Sequence, residues 1–288
     1  MRGFARDPLG IPPTFGRYSQ RITEPGVGEV AAVGVMTAWV TPVPASTFAR
    51  LVVVSPHFDD AVLGCGRLLA RHAPASMVTV MGGAKLTGYA DVTSWDALGG
   101  FTAGVDVVAT RRAEDGAAMD VLGCTSSWLD FSDHQYDEPT PGAARPPVAD
   151  VAAALEAALD ALAPTAVVIP FGLANPDHVL THDAALAVVA RRPDAWAWFG
   201  YAEAGYAHIP GAVAWRTARL VRAGIWPTPA PVPADGHLAA KRAALRCYAS
   251  QLPALAEDWG FDVTASTEVG ENYWRLEAPP PGWGELAP

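Results

Sequence analysis

The stretch Leu51–Gly66, LVVVSPHFDDAVLGCG, decides the fold that the sequence predicts. Its first four residues, Leu51–Val54, form a short β-branched run, which is typical of a buried strand. Residues Ala61–His72 then have the apolar character of a helix. In an α/β fold, a turn that leads from a strand into a helix lies at the carboxyl edge of the sheet, where such folds keep their ligand sites. We therefore expect a site between these two elements.

The turn carries three ionisable residues within four positions, His57, Asp59 and Asp60. An imidazole and a carboxylate three residues apart can reach the same cation, which leaves the neighbouring carboxylate free to act as a base. A simpler interpretation is that the two aspartates cap the following helix, as Asp often does. Capping accounts for one Asp but not for the His or the second Asp, so the pattern favours a metal site.

The composition describes an acidic chain that can bury a full core. Half of the 288 residues are hydrophobic, and the formal net charge is -10. The absence of a long Lys and Arg run argues against a nucleic-acid partner, because phosphate binding relies on clustered cations. Cys65, Cys124 and Cys247 are far apart and lack CxxC spacing, which indicates buried thiols in a reducing, cytoplasmic compartment.

Residues 1–45 differ from the rest of the chain and are predicted to form a poorly ordered extension, since they are rich in Pro and Gly without periodicity. Val30–Val40 is apolar but too short to span a bilayer, so no membrane is expected as a partner. Two interpretations of this run stay open. It resembles a secretory signal, although Glu24 and Glu29 lie close before it, or translation begins at Met36.

From Leu51 onward the sequence alternates between strand and helix patterns. Four strand–helix units with short turns predict an α/β fold, with a right-handed, mostly parallel sheet flanked by helices, over residues 46–255. Residues 256–288 are expected to form strand fragments and a tail. The predicted strands are Leu51–Val54, Met77–Met81, Ser126–Phe131 and Ala166–Pro170, the predicted helices are Ala61–His72, Ala109–Leu122, Val148–Leu162 and Leu238–Leu252, and Pro227–Pro233 is a predicted loop.

A second cluster of ionisable residues follows the fourth predicted strand, within Phe171–His182, FGLANPDHVLTH. Asp177 and His178 fall at the entry of the next helix. Because parallel strands end at the same edge of a sheet, this cluster and the first can converge on one point. His57, Asp60 and His178 would then supply two nitrogens and one carboxylate oxygen, with an open position for water as in a catalytic zinc site.

His178 and His182 offer an alternative metal pair, because they lie four positions apart as the two histidines of HExxH enzymes do. That motif needs a glutamate directly after its first histidine, and the residue here is Val179. We therefore interpret His182 as a structural histidine or one that supports the site from behind.

The motifs HFDDAVLGCG and NPDH together resemble those of the PIG-L/LmbE family of zinc-dependent N-deacetylases, whose usual signatures are PHPDDE and HPDH. Other segments match in the same order. Arg111 opens a segment similar to the family's RxxE helix, Asp133 falls where the family often has an Asp after its third strand, and Lys241–Gln251 resembles its late KxxA…SQ helix. The resemblance runs from about residue 51 to about residue 252.

The resemblance implies a Rossmann-like, three-layer α/β/α fold and a hydrolase that removes an acetyl or other acyl group from the amide nitrogen of an N-acetyl sugar or glycoconjugate. It also implies Zn²⁺ as cofactor, held by His57, Asp60 and His178, with Asp59 as the general base that acts on metal-bound water. The same ligands accept Fe²⁺ or another divalent ion.

The resemblance further assigns substrate contacts to Arg111 and Asp133, because charged groups fix sugar hydroxyls through directional hydrogen bonds. Each has a structural alternative, a surface position on a helix for Arg111 and a turn-forming role for Asp133. Asp177 is expected to serve catalysis by orienting an imidazole.

Asn175 is the main departure from the family pattern, since it stands where the first His of HPDH would be. Its amide can donate a hydrogen bond to a substrate oxyanion but cannot deliver a proton near pH 7. Either Asp59 performs both proton transfers, or His182, His134 or His208 supplies the acid. Two other functions stay open: an amidase on a non-sugar amide or thiol conjugate, and a catalytically silent metal- or carbohydrate-binding relative.

Overall fold

The computed structural model describes residues 42–84, 90–136, 145–232, 236–263, 267 and 270–279. Except for its last four residues, the predicted N-terminal extension lies outside this part of the chain. The apolar run Val30–Val40 and the alternative start Met36 lie outside it as well.

One mostly parallel sheet organises the described residues. Its seven strands are β1 (Leu51–Ser55), β2 (Ser76–Thr79), β3 (Thr125–Trp128), β4 (Ala166–Pro170), β5 (Ala197–Tyr201), β6 (Trp226–Pro229) and β7 (Tyr273–Glu277). Their order in the sheet is β3-β2-β1-β4-β5-β7-β6. The first five pair in parallel, whereas β7 pairs antiparallel with both β5 and β6. The predicted α/β class with a mostly parallel sheet is confirmed.

Helices cover both faces of this sheet. The eight α-helices of the described residues are α1 (Asp60–Arg71), α2 (Ser94–Leu98), α3 (Val107–Leu122), α4 (Val148–Leu162), α5 (Pro176–Arg191), α6 (Ala212–Arg222), α7 (Leu238–Leu245) and α8 (Leu252–Trp259). Alternate strand residues point to opposite faces. Val53 therefore packs in a core with α1, α3 and α7, whereas Val52 packs in a core with α4 and α5. The layers are α/β/α.

Two predicted elements near the C-terminus are wrong. Residues 227–229 of the predicted loop belong to β6, an edge strand, where proline is tolerated because no ladder bond is needed on its open side. The single predicted helix Leu238–Leu252 is two helices, α7 and α8. Between them, Ser250 donates hydrogen bonds from its backbone N and its Oγ to the Glu114 carboxylate, at 2.8 and 2.7 Å. This contact lies at the break between the two helices, and the second helix carries Pro253 in its first turn.

A buried ion pair, Lys241 with Glu271, crosses the middle of α1. Lys241 Nζ lies 2.8 Å from Glu271 Oε1 and donates to Leu63 O at 2.7 Å. Glu271 Oε1 in turn accepts from Arg67 N at 2.8 Å. Gly66 leaves room for this pair, because a Cβ there would lie 2.8 Å from Lys241 Cγ. The helix that follows the first turn is thus held by two residues from the last fifth of the chain.

The remaining findings concern the thiols and membrane segments. Cys65 and Cys124 are buried, Cys247 is half-buried, and all three are free. In the part of the chain that the structure describes, none of the helices combines the length and the apolar character needed to cross a bilayer.

Candidate metal centre

The turns after β1 and β4 lie side by side, because these two strands are neighbours in the sheet. Asp60 Oδ2 lies 3.0 Å from His57 Nδ1 and 3.1 Å from His178 Nε2. One ligand atom from each of the three residues falls within 4.8 Å of the others. The structure therefore brings together the three side chains that the sequence predicts as metal ligands.

Carboxylates hold the far side of both imidazoles. His57 Nε2 lies 3.1 Å from Asp177 Oδ2, and His178 Nδ1 lies 3.3 Å from Glu203 Oε1. Metal-binding histidines usually donate their second ring N–H to such a partner, which fixes the tautomer and the ring orientation. Two oriented nitrogens and one carboxylate oxygen fit a divalent ion of the Zn²⁺ type.

The Asp59 side chain does not cap the helix that follows the first turn. Ser55 Oγ accepts from Ala61 N at 2.9 Å and donates to His57 O, and His57 N donates to Asp60 Oδ2 at 2.9 Å. Asp59 occupies the N-cap position of α1, yet its side chain makes no cap hydrogen bond. The capping interpretation of Asp59 is therefore wrong.

Asp59 is buried, with 7% of its surface exposed, and it lines a cavity beside the ligand residues. Burial and then the neighbouring Asp60 carboxylate raise the pKa of Asp59 to about 7, against the opposing effect of His57. A carboxyl group that titrates near neutrality can accept and release a proton under ordinary conditions. These properties suit a general base.

The second turn is built by different residues. Asn175 caps α5, since its Oδ1 accepts from Asp177 N at 2.8 Å. Gly172 has a φ of 76°, and a Cβ there would lie 2.5 Å from His182 Cβ, so only glycine fits. Gly172 N donates to Glu203 Oε1 at 2.8 Å, which joins this turn to the end of β5.

Asp177 accepts hydrogen bonds from several sides. Its Oδ2 accepts from His134 N at 3.0 Å and lies 2.8 Å from His134 Nδ1, and its Oδ1 accepts from Arg145 Nη2 at 2.8 Å. Burial alone would raise the pKa of Asp177, but hydrogen bonds with His134 and His57 hold it below its usual range. Asp177 is therefore a fixed, ionised carboxylate.

The loop after β3 brings Asp133 and His134 to the same place. Asp133 Oδ1 lies 3.9 Å from His57 Nε2, and hydrogen bonds to Asp133 and Asp177 raise the pKa of His134 to about 9. His57, Asp133, His134 and Asp177 also form a second group whose ligand atoms lie within 4.8 Å of one another. In that group Arg145 already provides a cation for Asp177.

Arg111 is 3% exposed and lines the cavity, so the surface position considered for it is wrong. Its Nη2 donates to Asp96 Oδ1 at 2.7 Å and its Nη1 donates to Tyr136 Oη at 3.2 Å. Its buried Nε has no hydrogen-bond partner among the described residues. The guanidinium is thus fixed at the cavity wall by Asp96 and Tyr136.

His182 lies behind the site rather than in it. Its Nδ1 donates to Pro170 O at 2.8 Å, and burial, followed by the charge of Arg216, lowers the pKa of His182 to about 3. Neither metal-ligand group found in the described residues includes it. This placement agrees with its interpretation as a structural histidine.

The cavity has a volume of about 330 Å³, within the range of small-molecule sites. His57, Asp59, Asp60 and His178 lie on its wall together with the predicted substrate contacts Arg111, Asp133 and Asn175. Apolar side chains also line the cavity, among them Phe58, Leu63, Met81, Trp95, Val108 and Leu255.

Sequence reasoning did not assign roles to Glu203, Arg145 or Asp96. Glu203 follows β5, the neighbour of β4, so the rule that parallel strands end at one edge could have found it. Arg145 and Asp96 come from long connections without periodicity, and no local pattern points to their partners.

One known family matches part of the chain. Residues 52–189 match the family described as GlcNAc-PI de-N-acetylase, PIG-L. Among curated proteins, none matches the chain.

Several solved structures share the fold. A deacetylase triple mutant involved in the teicoplanin biosynthetic pathway is 26% identical, with a TM-score of 0.66, and covers 81% of this chain and 100% of its own. The zinc-inhibited form of a teicoplanin deacetylase is 24% identical, with a TM-score of 0.64 and the same coverage. The N,N'-diacetylchitobiose deacetylase from Pyrococcus horikoshii is 17% identical, with a TM-score of 0.53, and covers 92% of this chain and 98% of its own. The predicted Rossmann-like α/β/α fold is thereby confirmed.

Proposed function

We propose that the protein is a divalent-metal-dependent hydrolase that removes the acetyl group from the amide nitrogen of an N-acetyl sugar or glycoconjugate, because its residues 52–189 match the family described as GlcNAc-PI de-N-acetylase. The observation that carries the proposal is the placement of Asp59 beside the His57, Asp60 and His178 set in one cavity. A ligand set alone fits a binding protein. A buried carboxyl group that exchanges protons near neutrality adds what hydrolysis requires.

The residues divide the chemistry of amide hydrolysis among them. A divalent ion bound by His57, Asp60 and His178 supplies a Lewis acid that polarises the amide carbonyl and makes water more acidic. Asp59 takes the proton from the attacking water. Asn175 has a side-chain N–H donor on the cavity wall, which suits the oxygen that becomes negative as the carbonyl is attacked.

Other residues hold the reacting groups in place. Asp177 and Glu203 fix the ring orientation of His57 and His178 from behind. Arg111 and Asp133 provide a donor and an acceptor on the cavity wall for sugar hydroxyls.

The substrate class follows from the cavity and from the relatives. Related structures are described as a deacetylase of the teicoplanin biosynthetic pathway and an N,N'-diacetylchitobiose deacetylase, and the second name specifies an N-acetylated sugar. The apolar wall that includes Phe58 and Trp95 lies beside the polar one, which suits a glycoconjugate with an apolar portion next to its sugar.

We also propose Zn²⁺ as the resident ion and the cytoplasm as the location. Two imidazoles and one carboxylate are common zinc ligands, although Fe²⁺ fits the same donors. Three free cysteines suit a reducing compartment. Metal analysis of protein purified without chelators identifies the ion that the chain retains.

The function is tested by acetate release from N,N'-diacetylchitobiose and from an N-acetylglucosamine-bearing glycopeptide, with Zn²⁺, Co²⁺ or Fe²⁺ added in separate reactions. We expect equal amounts of acetate and free amine, and their loss in Asp59→Asn. Asp194→Asn serves as the matched control, because Asp194 is an exposed aspartate outside the cavity lining. Acetate release by Asp59→Asn at the wild-type rate, or none from wild type with any ion, would refute the proposal.

A further inference from the structure

The departing amine needs an acid that the second turn does not contain. When the C–N bond of an amide breaks, the nitrogen must gain a proton, because an amide anion is a very poor leaving group in water. Asn175 occupies the cavity wall at this turn, and its carboxamide carries no transferable proton near pH 7. Its Oδ1 is also engaged in capping α5.

Two histidines on the chain are badly placed for this task. His182 is fully buried against Pro170 O, and its pKa of about 3 keeps it neutral. His208 is exposed and does not line the cavity. His134, by contrast, lies on the cavity wall with the three ligand residues and Asp59.

His134 is held in one orientation by Asp177. Its backbone N and its ring Nδ1 both contact Asp177 Oδ2, at 3.0 and 2.8 Å. Two contacts to one carboxylate oxygen fix the residue and the tautomer, so that Nε2 is the ring nitrogen left for a substrate. Arg145 and His57 fix Asp177 in turn, at 2.8 and 3.1 Å.

We propose that His134 is the catalytic acid of this enzyme, with Asp177 as its positioning residue, an inference that rests on the proposed deacetylase function. Water adds through its oxygen to the carbonyl carbon, and Asp59 takes one of its protons. The C–N bond then breaks, its electron pair stays on nitrogen, and His134 Nε2 gives that nitrogen a proton. The products are the free amine and acetic acid, which releases its remaining proton to solvent to become acetate, and the proton held by Asp59 returns to His134 through solvent.

Electrostatics agree with this geometry. Asp133 Oδ1 lies 3.4 Å from His134 Nδ1, so a second carboxylate favours the protonated ring. Hydrogen bonds to Asp133 and Asp177 also raise the pKa of His134 to about 9, which favours the protonated ring.

The test compares two leaving groups. N,N'-diacetylchitobiose releases a basic amine, which needs a proton, whereas 4-nitrophenyl acetate releases a phenolate, which does not. We expect His134→Gln to lower kcat on the sugar roughly 10²- to 10⁴-fold while 4-nitrophenyl acetate is still hydrolysed near the wild-type rate. His208→Gln, the matched control, leaves both rates unchanged.

A second measurement does not depend on turnover. In protein labelled with ¹⁵N-histidine, the Nδ1–H resonance assigned to His134 should lie downfield in wild type and in His208→Gln, because it is bonded to a carboxylate. It should move upfield in Asp177→Asn. An unchanged resonance in Asp177→Asn would overturn the role of Asp177.

The outcomes separate the inference from the function on which it rests. Wild-type rates on the sugar for His134→Gln overturn the inference alone. An equal loss on both substrates also overturns it, because it indicates damage to the site rather than a missing acid. If wild type releases no acetate from the sugar with any ion, both the function and the inference fail.

Discussion

The turn before α1 and the turn before α5 start their helices in opposite ways. Both follow buried central strands and both contribute ligands to the same centre. In the first turn, the N-cap residue Asp59 makes no cap hydrogen bond. In the second, the N-cap residue Asn175 caps its helix through Oδ1.

The difference shows how a turn can keep a reactive group available. The first N–H groups of a helix need acceptors, and an N-cap Asp ordinarily supplies one. Here Ser55 Oγ accepts from Ala61 N, one of the first N–H groups of α1, and the Asp59 side chain faces the cavity instead. In the second turn, the N-cap residue Asn175 is used to cap the helix. The proton donor that we propose, His134, therefore lies in another loop.

The largest expected effect tests this assignment directly. Asp59→Asn keeps the shape of the side chain but removes the base, so kcat should fall about 10²- to 10⁴-fold. The melting temperature should stay the same or rise, because burial of the carboxylate, which raises its pKa, costs stability. Steady-state kinetics and calorimetry check the two parts, and a lower melting temperature would mean that Asp59 supports the helix after all.

His182, in the helix that follows the second turn, should make the stability of the fold sensitive to acid. Its folded-state pKa of about 3 lies below the ordinary value of 6.5, so the unfolded chain binds a proton first as the pH falls. Stability from the neutral ring is present above about pH 6.5 and is lost progressively below it, by about 2 kcal/mol at pH 5. In urea unfolding at pH 7 and pH 5, His182→Asn should lose less stability between the two values than wild type or His208→Asn does. Parallel losses in all three proteins would contradict the assignment.

A smaller effect is expected from the carboxylate behind the second turn. Glu203→Gln keeps an acceptor for Gly172 N but weakens the charge that orients His178. The affinity for Zn²⁺ or Co²⁺ should fall roughly 10- to 100-fold. Calorimetric titration measures it, with Glu156→Gln as control because Glu156 pairs with Arg191 on the surface. Equal affinities of both variants and wild type would remove Glu203 from the centre.

The smallest effect concerns the cap itself. Asn175→Ala should cost about 1 kcal/mol in the free energy of unfolding, because Asp177 N loses its acceptor, and Asn175→Ser should recover most of it. Asp59→Ala should show no comparable capping loss. Chemical denaturation of the three variants tests the contrast, and equal costs at both positions would erase the difference between the turns.

The sequence predicts the elements whose signals are local. β4 and α4 have the bounds Ala166–Pro170 and Val148–Leu162 that the pattern predicts, since each is a continuous apolar or periodic run. The meeting of His57 and His178 also follows from sequence, because parallel neighbouring strands end at one edge.

Features that depend on distant contacts are not predictable in this way. At the break between α7 and α8, Ser250 donates to Glu114, a residue far earlier in the chain that no local pattern links to it. The hold of Asp177 on His134 likewise joins two loops with no shared pattern. Hydrogen bonds between separate elements, rather than propensity, decide these points.

The buried ion pair between Lys241 and Glu271 means that the candidate metal centre depends on residues outside its motifs. A fragment covering residues 51 to 252, the span of the motif resemblance, would retain every candidate ligand but lose Glu271. The Lys241 ammonium would then stay beneath the helix without its carboxylate, and an uncompensated buried charge of this kind is strongly destabilising. A protein that received only the motifs would therefore have the candidate ligands but would lack the Lys241–Glu271 pair that contacts the helix after Asp59.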